Sequence, residues 1–433
     1  MVDANNWERV IAHELFHHWF GDLVTCESWS NITLNESFAN YSETLWFEHK
    51  YGKDEGDGWN NHYQQAYLDS PADTSKNLVQ FYYNDPQDVF DNISYPKGGR
   101  ILGMLRNYVG DGAFFKSLNL YLTNNKFKSA EAQNLRLAFE EITGEDLNWF
   151  FNEWYYSNGH PKLNINYAYD VANKTATVFI AQTQSGKPFK IPFAIDVYEG
   201  GAKKRYPVWM NNATDTFSFS VNSKPDLINV DGDKILLCEK SDNKTLDEFI
   251  YQNNHAGLFV DRREAIVFAA KHQTNPKALE FLEKALNDKS WRIRSFALSF
   301  LNMDNDTVKS SVETYLLDVA KNDNRRTVKA KAIEMIGSYK KIEYKPLFMK
   351  ALYDSSYTVA GKALEALGKI DDAAAETAAR KLSGLPAKGT LKNALIVYID
   401  ESKFDSLAGE FDKLSTNKKG SMFRGFAGFL GRV

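Results

Sequence analysis

The chain reads as a multidomain, mainly α protein with a helical N-terminal part, a small β-sandwich and a C-terminal α-solenoid. Three observations carry this reading. Apolar residues keep helical spacing from Trp7 to about Ser157, alternate from Leu163 to Cys238, and return to helical spacing from about Asp242, where acidic turns recur at steps of just over thirty residues. A chain of 433 residues exceeds one hydrophobic core, so the expected division is 1–160, 161–240 and 241–433.

In the first part, Ser129 as N-cap, Glu131 in the first turn, the apolar positions Leu135, Leu137, Ala138, Phe139 and Ile142, and Gly144 as stop predict one helix. Another is expected from Asp146 to Ser157-Asn158-Gly159-His160-Pro161, where proline forbids continuation. In the second part, Leu163, Ile165, Tyr167 and Tyr169, then Ala176, Val178 and Ile180, then Phe189, Ile191, Phe193, Ile195 and Val197 alternate as half-buried strands do. Turn signals at Asn173-Lys174, Ser185-Gly186-Lys187, Glu199-Gly200-Gly201 and Asn211-Asn212 cut these strands to sandwich length. In the third part, Asn287-Asp288, Asn322-Asp323 and Asp354-Ser355 each open an Ala/Leu-rich helix. Helix pairs recurring in this way bury their apolar faces on one another, and the pattern resembles HEAT-type repeats.

Composition narrows the class of function. A net charge of −4 with 25% charged residues offers a polyelectrolyte no reason to bind, so no nucleic-acid partner is expected. No apolar run is long enough to cross a membrane. Cys26 and Cys238 lie far apart and are read as buried free thiols. The chain opens almost directly on its most informative helix, so the numbering is expected to begin inside a domain. Localisation and oligomeric state therefore stay open.

That helix carries His13-Glu14-Leu15-Phe16-His17, the H-E-x-x-H spacing. Residues four apart lie one above the other on a helix, so both imidazoles can reach one zinc ion with Glu14 beside them. The apolar neighbours Trp7, Val10, Ile11, Phe16 and Trp19 predict a buried helix. Catalytic zinc usually takes three protein ligands, and Glu36, separated from His17 by eighteen residues at the start of a second amphipathic helix, supplies the third. Asn40, one turn after Glu36, is placed to orient a histidine ligand.

These residues match the gluzincin pattern and resemble most closely the aminopeptidase N family. The blocks that carry the resemblance are Val10-Ile11-Ala12-His13-Glu14-Leu15, Trp19-Phe20-Gly21-Asp22-Leu23-Val24-Thr25, Leu34-Asn35-Glu36-Ser37-Phe38-Ala39 and Ile93-Ser94-Tyr95-Pro96-Lys97-Gly98-Gly99. The resemblance implies a helical gluzincin-like catalytic part, one zinc per chain on His13, His17 and Glu36, and peptide substrates. It implies Glu14 as general base toward a zinc-activated water, and the Tyr95 phenol as donor to the oxyanion. Glu43 resembles a further position of the family that supports a ligand.

The family's Gly-Ala-Met-Glu-Asn segment, whose glutamate grips the substrate's free amino group, has no counterpart here, nor has the edge strand that would align the peptide. Zinc binding and hydrolysis thus rest on more residues than exopeptidase specificity does. The leading expectation is a zinc aminopeptidase. The alternatives are a gluzincin endopeptidase or a leukotriene A4 hydrolase-like enzyme, and a helical-repeat scaffold with a vestigial site.

Overall fold

The computed structural model describes residues 7–70 and 75–398, so the outer edges of the first and last expected domains lie outside the described residues. Two compact units result, Trp7–Ala265 and the described residues from Ile266 onward. The protein is multidomain and mainly α, with small sheets and a helical tail.

The first unit opens with α1 (Glu8–Phe16), β1 (Val24–Cys26), α2 (Thr33–Tyr51) and α3 (Lys53–Leu68). A five-residue π-helical turn, Ile93–Lys97, runs into α4 (Gly98–Val109), followed by α5 (Asp111–Asn125), β2 (Lys128–Ala130), α6 (Ala132–Thr143) and α7 (Asn148–Trp154). α6 begins later than its sequence signals imply. Ser129 is taken by the parallel pairing of β1 with β2, opposite Thr25, so Glu131 becomes the N-cap and shares a capping box with Asn134. Gly144 ends α6 in the left-handed region, at φ 72°, as a C-terminal glycine does.

The strands follow as two sheets. One is ordered β7-β4-β3-β9, from Lys162–Asp170 (β3), Thr175–Gln182 (β4), Thr214–Ser220 (β7) and Glu239–Asp242 (β9). The other is ordered β6-β5-β8, from Ile191–Glu199 (β5), Ala202–Met210 (β6) and Leu227–Val230 (β8). β5, central in its sheet, is buried almost along its length, whereas β3 and β4 alternate. A single core joins the sheets to the helices: Phe20, Phe38, Ile101, Phe139 and Trp154 belong to the same buried cluster as Ile165, Val178 and Ile195. α8 (Leu246–His255) and the start of α9 (Phe259–Ala270) complete the unit.

One sequence expectation fails here. α1 has no fully buried residue, and Trp7, Ile11, Leu15 and Trp19 are 55, 60, 54 and 49% exposed. The reason is spacing: these four residues follow one another at i, i+4 along the outer face, whereas His13, Phe16 and His17 turn inward toward α2.

The second unit is helical throughout, with α10 (Pro276–Ala285), α11 (Trp291–Phe300), α12 (Asp306–Asn322), α13 (Arg326–Gly337), α14 (Lys345–Ala351), α15 (Tyr357–Gly368), α16 (Asp372–Leu382) and α17 (Gly389–Ile396). The three acidic turns adopt one design. Asp288, Asp323 and Asp354 each accept, through Oδ1, the backbone N–H two residues on, at 2.7, 2.7 and 2.9 Å, and each turn opens the next helix. No described helix is long and apolar enough to cross a membrane.

Candidate metal centre

The site forms where α1 crosses α2. His13 and His17, one turn apart on α1, point Nε2 at the same Glu36 carboxylate oxygen, at 3.3 and 3.4 Å. The ligand atoms of these three residues lie within 4.8 Å of one another, the only group of three or more His, Cys, Asp or Glu side chains of that kind among the described residues. The two rings meet edge to face, with centroids 5.0 Å apart.

Each ring is held from behind. His13 Nδ1 donates to Glu43 Oε1 at 3.0 Å, and His17 Nδ1 donates to the Phe20 carbonyl at 3.1 Å. With Nδ1 engaged as a donor, each Nε2 is left facing Glu36, where it carries a proton to the carboxylate or, once deprotonated, offers a lone pair to a metal. Two imidazoles and a carboxylate are the donor set a divalent metal such as zinc takes while keeping a position open. The residues present therefore fit a metal ion.

The electrostatics agree. Burial works against charge on His13, but the Glu36 and Glu43 carboxylates outweigh it and raise its pKa to about 9. Burial likewise opposes ionisation of Glu36, yet hydrogen bonds from His13 and His17 bring it down to about 2. The three groups favour a shared positive charge, and a metal competes with a proton for that place.

Glu14 lies on the exposed side of the same helix, one residue from His13. Tyr95 stands across from it in the π-turn, half-buried, with its ring stacked on His13 at 5.9 Å and 9° between planes. Burial, and next the Glu36 and Glu14 carboxylates, keep its phenol protonated well above the usual range, so its oxygen serves as a donor.

The π-turn is locked to α2 at short range. Asp91 Oδ1 accepts the N–H groups of Ile93 and Ser94 at 2.9 and 3.0 Å, and Ser37 Oγ donates to the Ser94 carbonyl at 2.7 Å. Gly98 permits this approach, since a Cβ there would stand 1.8 Å from Ser37 Oγ. π-Bulges of this kind concentrate at functional sites.

Asn40 does not orient a histidine. Both Nδ1 atoms are already engaged, and Asn40 Oδ1 is buried against Gly99 without a hydrogen-bond partner among the described residues. Glu43 holds His13 instead. Behind it stand two residues the sequence reading did not single out, Arg9 and Tyr63, both hydrogen-bonded to Glu43 Oε2. Arg9 had a signal, four residues before His13 on the same helical face; Tyr63, on another helix, had none. His18 is exposed and pairs with Asp22 at 3.2 Å, away from the cluster.

Residues 1–154 match the family model described as Peptidase family M1 domain, and residues 313–397 match HEAT repeats. Probable aminopeptidase 1 of Sulfurisphaera tokodaii is 31% identical over 194 residues, covering 43% of this chain and 25% of that protein. Aminopeptidase N of Lactobacillus helveticus is 36% identical over 198 residues, covering 42% of this chain and 23% of its own length. The chain thus matches about a quarter of the length of these curated relatives. Among solved structures, Legionella pneumophila aminopeptidase A in complex with aspartic acid superposes with a TM-score of 0.70 at 14% identity, covering 97% of this chain and 56% of that one. At that identity the likeness is one of fold.

Proposed function

We propose, from the premise that residues 1–154 are a peptidase family M1 domain of the aminopeptidase N family, that this chain is a zinc-dependent aminopeptidase acting on peptides. The observation that supports it most is the convergence of His13, His17 and Glu36, with both histidine Nδ1 atoms already engaged. These three residues would hold the zinc. When bound, zinc supplies Lewis acidity, lowering the pKa of a water toward neutrality and polarising a carbonyl.

The chain's own residues supply the rest. Glu14, beside the ligands but not among them, accepts the proton of the attacking water and delivers it to the leaving amine. Tyr95, kept protonated above the usual phenol range, donates its hydrogen bond to the oxyanion that develops as the carbonyl carbon becomes tetrahedral. The division 1–160, 161–240 and 241–433 then reads as catalytic part, sandwich spacer and helical-repeat tail.

The test measures metal content of the purified chain by mass spectrometry, beside hydrolysis of aminoacyl substrates and of the same peptides with blocked amino termini. About one zinc per chain and cleavage of free-amine substrates alone is the expected result. Equal cleavage of blocked peptides would replace the aminopeptidase with an endopeptidase. Glu14→Gln is expected to keep zinc and lose hydrolysis; retained hydrolysis removes Glu14 as base.

A further inference from the structure

We infer that Arg9 and Tyr63 are positioning residues of the metal site, which hold the Glu43 carboxylate in the orientation that fixes the His13 ring. The inference rests on the reading that His13, His17 and Glu36 take zinc.

Glu43 is 2% exposed, and its two oxygens divide their work. Oε1 accepts His13 Nδ1 at 3.0 Å; Oε2 accepts Arg9 Nη1 at 3.2 Å and the Tyr63 hydroxyl. One carboxylate thereby ties together α1, α2 and α3. A carboxylate buried to this extent is stable only when paired with a cation and supplied with hydrogen-bond donors, and Arg9 and Tyr63 supply both to Oε2. Without them Oε2 would be an unsatisfied buried acceptor. The carboxylate would then turn toward whatever donor it could find, and His13 would lose the acceptor that keeps its proton on Nδ1 and its Nε2 aimed at Glu36.

Two features make the arrangement specific. Arg9 precedes His13 by one turn of α1, so a single helix carries both a ligand and the cation that steadies that ligand's anchor. Burial, and next the Glu43 carboxylate itself, hold the Tyr63 phenol well above its usual range, which keeps it a donor. His17 offers the contrast. Its Nδ1 is anchored to the backbone carbonyl of Phe20, which no side-chain substitution removes. Only the His13 anchor depends on a relay of side chains.

The test is zinc affinity of the full chain, measured by competition with a chromophoric chelator, for the wild type, Tyr63→Phe, Arg9→Gln and Glu8→Gln. Glu8 adjoins Arg9 on α1 and bonds Trp46 and Tyr51 of α2, each at 2.8 Å, so its substitution perturbs the same interface without touching Glu43. Tyr63→Phe and Arg9→Gln are each expected to weaken zinc binding roughly ten-fold, as loss of groups behind a ligand does. Glu8→Gln is expected to leave it unchanged. In a Glu43→Gln background, Tyr63→Phe is expected to add nothing, because it acts through Glu43. Tyr63→Phe removes one oxygen and carries the test alone if Arg9→Gln does not fold. Unchanged affinity in Tyr63→Phe, or equal weakening by Glu8→Gln, overturns the inference while the zinc reading stands. A wild type that binds no zinc overturns both.

Discussion

The two units use polar groups in opposite ways. Around the metal centre no contact repeats another: His17 to Phe20 spans three residues, His13 to Glu43 spans 30 and Ser37 to Ser94 spans 57. In the tail one contact is repeated, an acidic turn whose carboxylate accepts the N–H two residues on and pairs with a nearby cation, as Asp323 does with Arg294 and Asp354 with Lys329. The tail is therefore stabilised by nearest-neighbour terms and tolerates local damage, whereas the candidate metal centre depends on converging groups that have no duplicate among the described residues. Lys97 belongs only to the first kind. Its ammonium nitrogen is wholly buried, lies 5.6 Å over the Tyr67 ring, and has no hydrogen-bond partner among the described residues.

The comparison is broken most severely by removing a ligand. Glu36→Gln is expected to reduce zinc retention and hydrolysis below detection while leaving the tail folded; one zinc per chain by mass spectrometry in the variant would exclude Glu36 as a ligand. Next comes the tail. Asp323 forms a largely buried bidentate pair with Arg294, at 2.6 and 2.9 Å, so Asp323→Ala is expected to cost about 3 kcal/mol of stability in denaturant unfolding. Hydrolysis should be untouched, and a parallel loss of activity would show that the two units are not energetically separable.

A smaller effect is expected at Gly98. The added methyl of Gly98→Ala would displace the π-turn from α2, and with it Tyr95, lowering kcat roughly a hundredfold, or about 2.7 kcal/mol of barrier. Zinc content should hold, and unchanged kcat would show that Tyr95 needs no such placement.

Lys97 sharpens the contrast through pH. Burial lowers its pKa from 10.5 to about 7. Between those values the unfolded chain carries a proton that the folded chain lacks, so this group makes stability rise with pH, by up to about 1.4 kcal/mol per unit, and the gain is absent below pH 7. Lys97→Met should flatten that part of the profile. Equal slopes for variant and wild type from pH 7 to 9 would exclude it. The smallest effect belongs to the tail surface, where Lys284 pairs with Glu280 at 2.6 Å with both side chains mostly in water; Lys284→Ala should leave the unfolding midpoint where it is.

The sequence by itself determined the order of helical part, strands and repeats, because that order follows from the period of apolar residues, a local property. It also marked the residues that converge at the candidate site: the i, i+4 histidines share a helix face by geometry alone, and Glu36 was marked by helix start and distance. Tyr95 came only through resemblance, since a lone tyrosine has no local signal. The tertiary structure decided what lies behind the ligands. It set Glu43, not Asn40, on His13, gave His17 a backbone carbonyl, and joined Arg9 and Tyr63 to Glu43 from two other helices. It also exposed the outer stripe of α1 that its apolar character had predicted to be buried. The physical reason is the same in each case: periodicity says which face of a helix a residue occupies, whereas the partner that a buried polar group meets depends on how separate helices cross.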